Sequence, residues 1–556
     1  MSRSSFLTMK NGTVECIPLE LKFNGVDING YFEPQPTSMF LGSETFDSDS
    51  GQFTRYTEGT QGTFTVSGGE ASIIHNSGAA RNDLITETSS SFSMPCIFTS
   101  IQITSISVQS TGYDNSGVGI IKDQNNFLLA SIDRENSNAR IQVKISGSST
   151  FKGSISHSWT APFEIGLSLI GNRACFWEKV GGTWEYLLGV TISEYDFRTE
   201  GNLTDWKAGF VLASANNSTW NFDNLYWGYA GGVGMRDQTI VTNPNGSTYI
   251  EDDRYTYFSA TLPDPSGLAY CGVFKLDMLD LTYTQTSALM ISRSSTIYND
   301  LNAHIIRDGS NSRVVMATWG NGFGNDIQIL HKLESSTDLC NTPTKLTSMT
   351  QLNVPGLQTA SYGAYDPMLV YDSSYERWIL VYTITEDTSF AGSPFYAALA
   401  YSSDLSSWTA IGADTGNQGY EGTKLVYLNN DYWVLCGGPV GTGDTSRVYD
   451  SSMNYLGSLD ASFYGGSDTQ PHPCVFTYKD NCYLLSYNNT RFESGSFTWG
   501  QPTCQISDRY IVNTYNVDDA NDEFNFGSSP DLTGDRRYNS TPWSWYNEGS
   551  SVGSIS

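Results

Sequence analysis

The sequence of 556 residues has few charged side chains, and especially few basic ones. Charged residues make up 16% of the chain, and 30 Lys and Arg stand against 58 Asp and Glu, which gives a formal net charge of −28. So large an excess of negative charge disfavours contact with nucleic-acid phosphates. We therefore expect no nucleic-acid partner, and a neutral or cationic partner or a saline medium instead.

Long apolar runs and clustered cysteines are missing as well. A helix that spans a membrane needs roughly 18 consecutive apolar residues, and no stretch approaches this length. We expect no membrane insertion. The nine cysteines are scattered singly, without the spacing of a zinc site. Buried free thiols are predicted, with a contact between Cys474 and Cys482 across a hairpin as the alternative.

The first residues, MSRSSFLTMKNGTVECIPLELKF, contain no continuous apolar segment of the kind that secretory signals have. This predicts synthesis in the cytoplasm without a signal peptide. A protein that acts on an extracellular glycan would then need another route out of the cell, and lysis by a virus is one. A virion-associated protein that acts outside the cell is therefore one expectation.

Glycine and aromatic residues, in contrast, are plentiful. The chain has 53 Gly and 13% Phe, Trp and Tyr, and it shows no long helical hydrophobic period. Short alternating segments between Gly, Ser and Asn turns indicate an all-β protein. Its length exceeds what one ordinary core supports, so two or three domains are expected.

Changes in composition and hydrophobic pattern along the chain predict four segments. Residues 1–40 form a leader, which is either an anchor to a larger assembly or a disordered tail, and 41–230 form a two-sheet β-sandwich (jelly roll). Residues 231–515 form a five-bladed β-propeller, and 516–556 are a polar extension that packs through Trp543, Trp545 and Tyr546.

The sandwich region opens with FDSDSGQF and closes with WNFDNLYW. Both motifs resemble those of the concanavalin-like and laminin-G-like jelly rolls that are appended to carbohydrate-active enzymes. The resemblance implies that the two motifs lie on adjacent strands and that the domain binds carbohydrate. Core packing is the alternative role for most of its Trp and Tyr side chains.

The propeller prediction rests on an internal repeat. A strand, a polar turn and an apolar strand recur in segments such as AHIIRDGSNSRVVMATW, PMLVYDSSYERWILVYT and TKLVYLNNDYWVLCGG. Five copies of roughly 50 to 65 residues predict five four-stranded units, which is the size of propeller blades.

An acidic residue or a histidine precedes the first strand of every predicted unit. Such residues line one mouth of the central channel in a propeller. An Asp that only caps a turn is the alternative at each position. In order along the chain the residues are Asp237; Asp300 and His304; Asp366; Glu421; and Asp468 and His472.

Converging carboxylates suit the cleavage of glycosidic bonds. One carboxylic acid protonates the leaving oxygen, a carboxylate activates water or attacks the anomeric carbon, and a third acid can raise the pKa of the proton donor. The motifs RDQTIV, YDPMLVYD and YEGTKLVY resemble those of the family 43 glycoside hydrolases, which act mostly on arabinofuranosides, xylosides and similar sugars. The resemblance implies Asp237 as general base, Asp366 as the residue that adjusts and orients the acid, and Glu421 as general acid.

The same resemblance implies further site residues. His472, in QPHPCVF, is similar to a histidine that faces the channel and helps to hold a structural calcium ion through water. Asp300 is the rival candidate for the base, and His304 is a candidate sugar contact. Trp319 and Phe323 are candidates for stacking on sugar rings.

Two functions remain open at this stage. The first is an inverting glycoside hydrolase that cleaves a cell-surface or extracellular polysaccharide, with arabinofuranoside-, xyloside- or galactoside-like units. The second is a non-catalytic glycan-binding adhesin or a phage receptor-binding protein, whose partners would be other virion proteins or copies of itself. A sialidase-like propeller would have six blades and Asp-boxes that contain Gly. The segment SSDLSSW does not match such a box.

Overall fold

The computed structural model describes most of the chain between Thr37 and Ser507, together with short strands near both termini. The described residues are 6–10, 13–17, 23–26, 37–49, 51–76, 82–108, 114–215, 217–231, 234–265, 268–318, 328–355, 363–385, 395–416, 419–428, 431–438, 446–457, 472–479, 481–494, 497–507, 513–516, 536–537, 544–546 and 552–554.

The secondary-structure elements of the described residues are all β-strands, and the protein is all-β as the sequence predicts. Within these ranges no helix is long and apolar enough to cross a membrane. Three strands lie before the sandwich: β1 (Phe6–Lys10), β2 (Thr13–Ile17) and β3 (Phe23–Val26).

Fifteen strands form the two sheets of the sandwich. They are β4 (Thr37–Glu44), β5 (Phe53–Glu58), β6 (Thr63–Ser67), β7 (Glu70–His75), β8 (Asn82–Glu87), β9 (Cys96–Val108), β10 (Asp114–Asp123), β11 (Asn126–Asp133), β12 (Asn138–Ile145), β13 (Ser148–Ser156), β14 (Phe163–Ile170), β15 (Arg173–Val180), β16 (Thr183–Thr191), β17 (Lys207–Ser214) and β18 (Ser218–Ala230).

One sheet has the order β13-β12-β11-β10-β17-β8-β5, and the other has the order β16-β15-β14-β9-β18-β7-β6, with β4 paired to β18. The alternating sequences place Ile101, Leu128, Leu167 and Trp220 in one buried cluster between the sheets. The prediction that the two motifs lie on adjacent strands is wrong: β4 pairs with β18, which carries the closing motif, but the opening motif at 46–53 lies between β4 and β5. Its last residue, Phe53, begins β5, which pairs with β8 in the other sheet, because the chain crosses from one sheet to the other within this motif.

Twenty-one strands follow in the propeller region. They are β19 (Arg236–Ile240), β20 (Tyr255–Pro263), β21 (Ala269–Asp277), β22 (Tyr283–Arg293), β23 (Thr296–Tyr298), β24 (Leu301–Asp308), β25 (Asn311–Ala317), β26 (Ile329–Glu334), β27 (Thr344–Thr347), β28 (Thr350–Gln351), β29 (Gly363–Asp372), β30 (Arg377–Thr385), β31 (Phe395–Ser402), β32 (Thr409–Ala413), β33 (Glu421–Leu428), β34 (Asp431–Gly437), β35 (Ser446–Tyr449), β36 (Tyr455–Gly457), β37 (Cys474–Tyr478), β38 (Asn481–Ser494) and β39 (Phe497–Ser507).

These strands form a propeller-like arrangement. Four sheets have four strands each, in the orders β24-β25-β26-β28, β29-β30-β31-β32, β33-β34-β35-β36 and β37-β38-β39-β3. The prediction of five four-stranded units is wrong for the first unit, which is a six-stranded sheet of β19-β20-β21-β22-β23 with β27. Two strands exceed the predicted four: β23 pairs with β22 across a short turn, and β27, which lies between β26 and β28 in sequence, returns to pair in parallel with β22.

The first strands of the five sheets meet around one axis. Contacts join β19 to β24, β24 to β29, β29 to β33, β33 to β37, and β37 back to β19. Residues at the start of each first strand are therefore brought to one end of a common channel.

The terminal segments contribute strands of their own. The strand β3, which lies within the predicted leader, is the outer strand of the last four-stranded sheet, where it pairs with β39. The remaining strands are β40 (Asn513–Asn516), β41 (Arg536–Arg537), β42 (Ser544–Tyr546) and β43 (Val552–Ser554). They form the sheets β1-β2-β40 and β41-β42-β43.

The sandwich packs on the propeller region through the outer face of its eight-stranded sheet. Alternate residues of β15 serve different cores: Ala174 and Phe176 belong to the sandwich cluster, whereas Cys175 and Trp177 belong to a cluster that extends into the propeller region. Phe274 is one of the propeller residues in that second cluster. The period-two alternation of the strand thus joins the two domains.

The cysteines behave as predicted. The eight cysteines from Cys96 to Cys504 are buried and form no disulfide, and Cys482 pairs across its hairpin with Thr477 rather than with Cys474. The prediction of buried free thiols is confirmed for these eight residues.

Candidate functional site

A β-bulge opens the first strand of three sheets at equivalent positions. The inner strand advances from Arg236 to Thr239 while its partner advances by one residue fewer, and the same shift occurs after Tyr365 and after Glu421. A bulge leaves one residue out of the ladder and re-aims the side chains beside it. The repeat therefore delivers a side chain to the channel mouth from each of these sheets.

The residue after each bulge-opening position adopts a left-handed backbone conformation. The φ angles are +62° at Asp237, +53° at Asp366 and +68° at Gly422. Asp and Gly tolerate this conformation better than most residues. Asp237, Asp366 and Gly422 are thus equivalent in the repeat, and Glu421 is equivalent to the residue before each Asp.

The register defines two sets of equivalent positions in the repeat. Asp237, Asp366 and Gly422 occupy one set, and Arg236, Tyr365 and Glu421 occupy the other. In the second set, Tyr365 donates its hydroxyl proton to Glu421 Oε2 at 3.2 Å. Alignment of the repeats by their acidic residues pairs Glu421 with the two aspartates, and the structure shifts this alignment by one residue.

His472 links the sheets across the mouth. Its Nε2 lies 3.0 Å from Asp237 Oδ1, and its Nδ1 lies 3.8 Å from Asp366 Oδ1. Asp237 also binds Arg236, whose Nε lies 3.1 Å from the same Oδ1. Asp237, Asp366 and His472 are 7%, 4% and 2% exposed, whereas Glu421 is partly exposed.

Asp366 is held from a different direction. Its Oδ2 accepts the backbone N–H of Gly422 at 2.7 Å and faces the Thr383 hydroxyl at 3.4 Å. Thr383 is in turn 2.9 Å from the Thr423 hydroxyl. The carboxylate of the third sheet is therefore tied to the backbone beside Glu421.

The surroundings push the pKa values of two carboxyl groups in opposite directions. Burial is the largest contribution to the raised pKa of Glu421; His472 opposes the rise, and Asp366 adds to it. Burial would also raise the pKa of Asp237, but Arg236 and His472 outweigh it and hold that pKa well below its usual range. Such a split is what a proton donor and a proton acceptor in one site require.

The surroundings of His472 favour its protonated form. Burial by itself would lower the pKa of His472, but Asp237 and Asp366 raise it above its ordinary value. The imidazolium form is the one that the two neighbouring aspartates stabilise.

Asp300 and His304 have other surroundings. Asp300 is fully buried, and its Oδ2 lies 3.1 Å from Arg293 Nη1. His304 is fully buried on β24, where Nδ1 accepts the backbone N–H of Leu369 at 3.1 Å and Nε2 lies 3.0 Å from Thr242 Oγ1. Burial, aided by the charge of Lys424, lowers the pKa of His304 to about 3. These bonds join neighbouring sheets. The role of Asp300 as base and that of His304 as sugar contact stay predictions.

Three predicted positions lie outside the described residues: Trp319, Phe323 and Asp468. Several contributors were not singled out from the sequence, namely Arg236, Tyr365, Thr383 and Gly422. Aligning the repeats at the bulge would have indicated the first two, because they occupy the position of Glu421.

The residues give a mixed fit to the predicted calcium ion. Ligand atoms of Asp366, Glu421 and His472 lie within 4.8 Å of one another. However, calcium prefers about six to eight oxygen ligands, and His472 is already engaged by Asp237 with a pKa that favours the imidazolium form. The buried ammonium of Lys424 adds a second positive charge nearby. The group fits calcium poorly, and an ion held by His472 through water stays a prediction.

Comparison with known proteins adds distant similarities only. No family model matches the chain, and no curated protein sequence matches it. A carbohydrate-binding module from Bacillus subtilis is similar over 32% of this chain and 97% of its own, with 12% identity and a TM-score of 0.24.

Two solved glycosidases are similar over more of the chain. An α-L-arabinofuranosidase from Fusarium graminearum covers 62% of this chain and 90% of its own, with 9% identity and a TM-score of 0.33. An α-L-arabinanase from Penicillium chrysogenum covers 74% and 99%, with 9% identity and a TM-score of 0.32. Similarities of this size assign no activity to this chain.

Proposed function

We propose that this protein is a glycoside hydrolase of the inverting type, with Glu421 as general acid and Asp237 as general base. The observation that carries the proposal is the opposite shift of their pKa values within one cluster at the channel mouth. A raised pKa keeps the donor protonated near neutral pH, and a lowered pKa keeps the acceptor ionised.

The chemistry uses one water molecule for each bond cleaved. Glu421 gives its proton to the leaving glycosidic oxygen as the bond from that oxygen to the anomeric carbon breaks. Water adds to the anomeric carbon from the opposite face, and Asp237 takes a proton from that water. Inversion requires the two carboxyl groups to be roughly 6.5 to 9.5 Å apart, so that the water fits between them.

Asp366 is the positioning residue in this proposal. Its carboxylate adds to the raised pKa of Glu421 and fixes the backbone at Gly422, next to the acid. Like charges at short range resist joint ionisation, so an ionised Asp366 favours the protonated acid.

The substrate in this proposal is a glycan with arabinofuranoside-, xyloside- or galactoside-like units. The partial exposure of Glu421 beside the nearly buried Asp237 and Asp366 suits a proton donor that reaches a sugar at the mouth while the other two stay shielded. A virion-associated place of action stays a prediction.

A second function is favoured by one observation. Asp237 Oδ1 is contacted by both Arg236 and His472, and two cations on one oxygen make the carboxylate a weak base. A propeller that binds glycan without cutting it would tolerate this arrangement. The second function is therefore a glycan-binding adhesin built on the same site.

One experiment separates the two functions. We would measure sugar release from aryl glycosides and from plant, algal and bacterial polysaccharides by wild type, Glu421→Gln and the control Glu376→Gln, which changes an exposed turn of the third sheet. The hydrolase proposal predicts release by wild type and the control, and a loss of roughly 10²-fold or more in Glu421→Gln. Glycan binding by all three proteins with release by none would establish the adhesin instead.

A further inference from the structure

A buried lysine lies on an inner strand of the propeller-like arrangement, three residues after Glu421. Lys424 is on β33, where it pairs with Leu435 of β34, and its side chain is only 1% exposed. Its ammonium nitrogen has no hydrogen-bond partner among the residues that the structure describes. A buried charge without a partner is costly, and such groups are normally paired or bound to a ligand.

The neighbours of Lys424 place its charge near the centre of the ring. The charge acts on His472 and Cys474 of the last sheet and on His304 of the second sheet. The fourth sheet, which carries Lys424, packs chiefly against the third and the last sheets, whereas His304 lies on β24 of the second. The charge of the ammonium therefore reaches groups of three sheets, and His304, His472 and Cys474 do not supply a negative charge.

The carboxylates of the mouth are held by other groups. Asp237 binds Arg236 and His472, and Asp366 binds the Gly422 N–H. A second polar side chain on the ring of inner strands, the amide of Gln238 on β19, is fully buried, and neither of its polar atoms has a hydrogen-bond partner within the described ranges. The ring thus holds two buried hydrogen-bond donor groups, the ammonium of Lys424 and the amide of Gln238, that have no partner among the described residues.

We propose that the channel axis binds a small inorganic anion, such as chloride, on the ammonium of Lys424. The anion accepts hydrogen bonds from Lys424 and neutralises its charge in the buried channel. The axis of this propeller is then an anion site, and the positive charge of Lys424 excludes calcium from it. The inference does not depend on hydrolysis, because a binding protein with the same channel would hold the same ion.

Halide titration of the full chain tests the proposal. We would follow the thermal unfolding midpoint in sodium gluconate while replacing it with sodium chloride or bromide at constant ionic strength. Wild type is expected to show a saturable rise of roughly 2 to 4 °C. Lys424→Met should lose this rise, and the control Lys479→Met, at an exposed lysine of the last sheet, should keep it. An equal response in wild type and Lys424→Met would overturn the proposal.

Crystals soaked in sodium bromide locate the ion independently of stability. An anomalous bromine peak beside Lys424 Nζ in wild type supports the proposal, whereas water alone or a calcium ion at that position overturns it. In a separate experiment on EDTA-treated protein, a rise of the thermal unfolding midpoint on adding a calcium salt would also overturn it. Lys424→Arg retains the charge and is expected to retain the halide response, so the test stands if Lys424→Met does not fold.

Discussion

The backbone N–H of Gly422 donates a 2.7 Å hydrogen bond to Asp366 Oδ2, which joins the third and fourth sheets at the channel mouth. Because Glu421 immediately precedes Gly422, the position of the proposed acid depends on a carboxylate of the neighbouring sheet. Proton donation and backbone placement are thereby coupled through one side chain.

Asp366→Asn should impair the reaction and shift its pH dependence. The amide removes a negative charge that contributes to the raised pKa of Glu421, so that pKa falls. The alkaline limb of kcat/KM reports the proton donor and should move to lower pH, with kcat reduced by roughly 10²-fold or more. The measurement is a pH–rate profile, with Asp308→Asn, at the exposed end of β24 in the second sheet, as control. An unchanged alkaline limb would show that Asp366 does not act on Glu421.

Gly422→Ala should destabilise the protein and inactivate the site. Its φ is +68°, and an added Cβ would lie 2.4 Å from the backbone nitrogen of His472. Gly201→Ala is a matched control, because Gly201 has a φ of +83° and open space around the Cβ position. We expect the control to lose about 1 kcal/mol through backbone strain alone, and Gly422→Ala to lose more. Denaturant unfolding measures both, and equal losses would contradict the close approach to His472.

The stability of Glu421→Gln relative to wild type should increase as the pH rises. The folded pKa of Glu421 is raised above its ordinary value of 4.5, so the folded state holds this proton more tightly than the unfolded state. The resulting stability is fully present below the ordinary value and is lost as pH rises through the raised one. Glutamine undergoes no such loss. Thermal unfolding of both proteins across this range checks the prediction, and a constant difference at all pH values would refute it.

Arg236→Met should move the acidic limb of kcat/KM to higher pH. Arg236 is the largest of the contributions that lower the pKa of Asp237, and its loss makes the proposed base harder to ionise. The acidic limb reports ionisation of the base. Arg254→Met, which removes an exposed guanidinium paired with Asp277 in the first sheet, is the control and should leave the limb in place. If both variants gave the wild-type profile, Asp237 would not be the base.

Local sequence patterns identified much of the fold. Period-two alternation and turn residues predicted an all-β chain, and the described strands and sheets confirm it. The repeat located the first strands β19, β24, β29, β33 and β37, because each strand and its hairpin are adjacent in sequence. The six-stranded first sheet does not follow from the repeat, because β23 is a short added strand and β27 reaches β22 only through a parallel pairing over a long sequence separation.

The sequence by itself determined the strand class, the repeat and the presence of acids near the start of each repeat, since these depend on neighbouring residues. Only the tertiary structure decided that Glu421 occupies the same repeat position as Arg236 and Tyr365, because a one-residue bulge changes which side chain faces the channel. It also decided the partners of His472 and the burial of Lys424, since both are set by sheets that are distant in sequence. Charges acquire their pKa values and their ligands from such long-range packing, which a local pattern does not record.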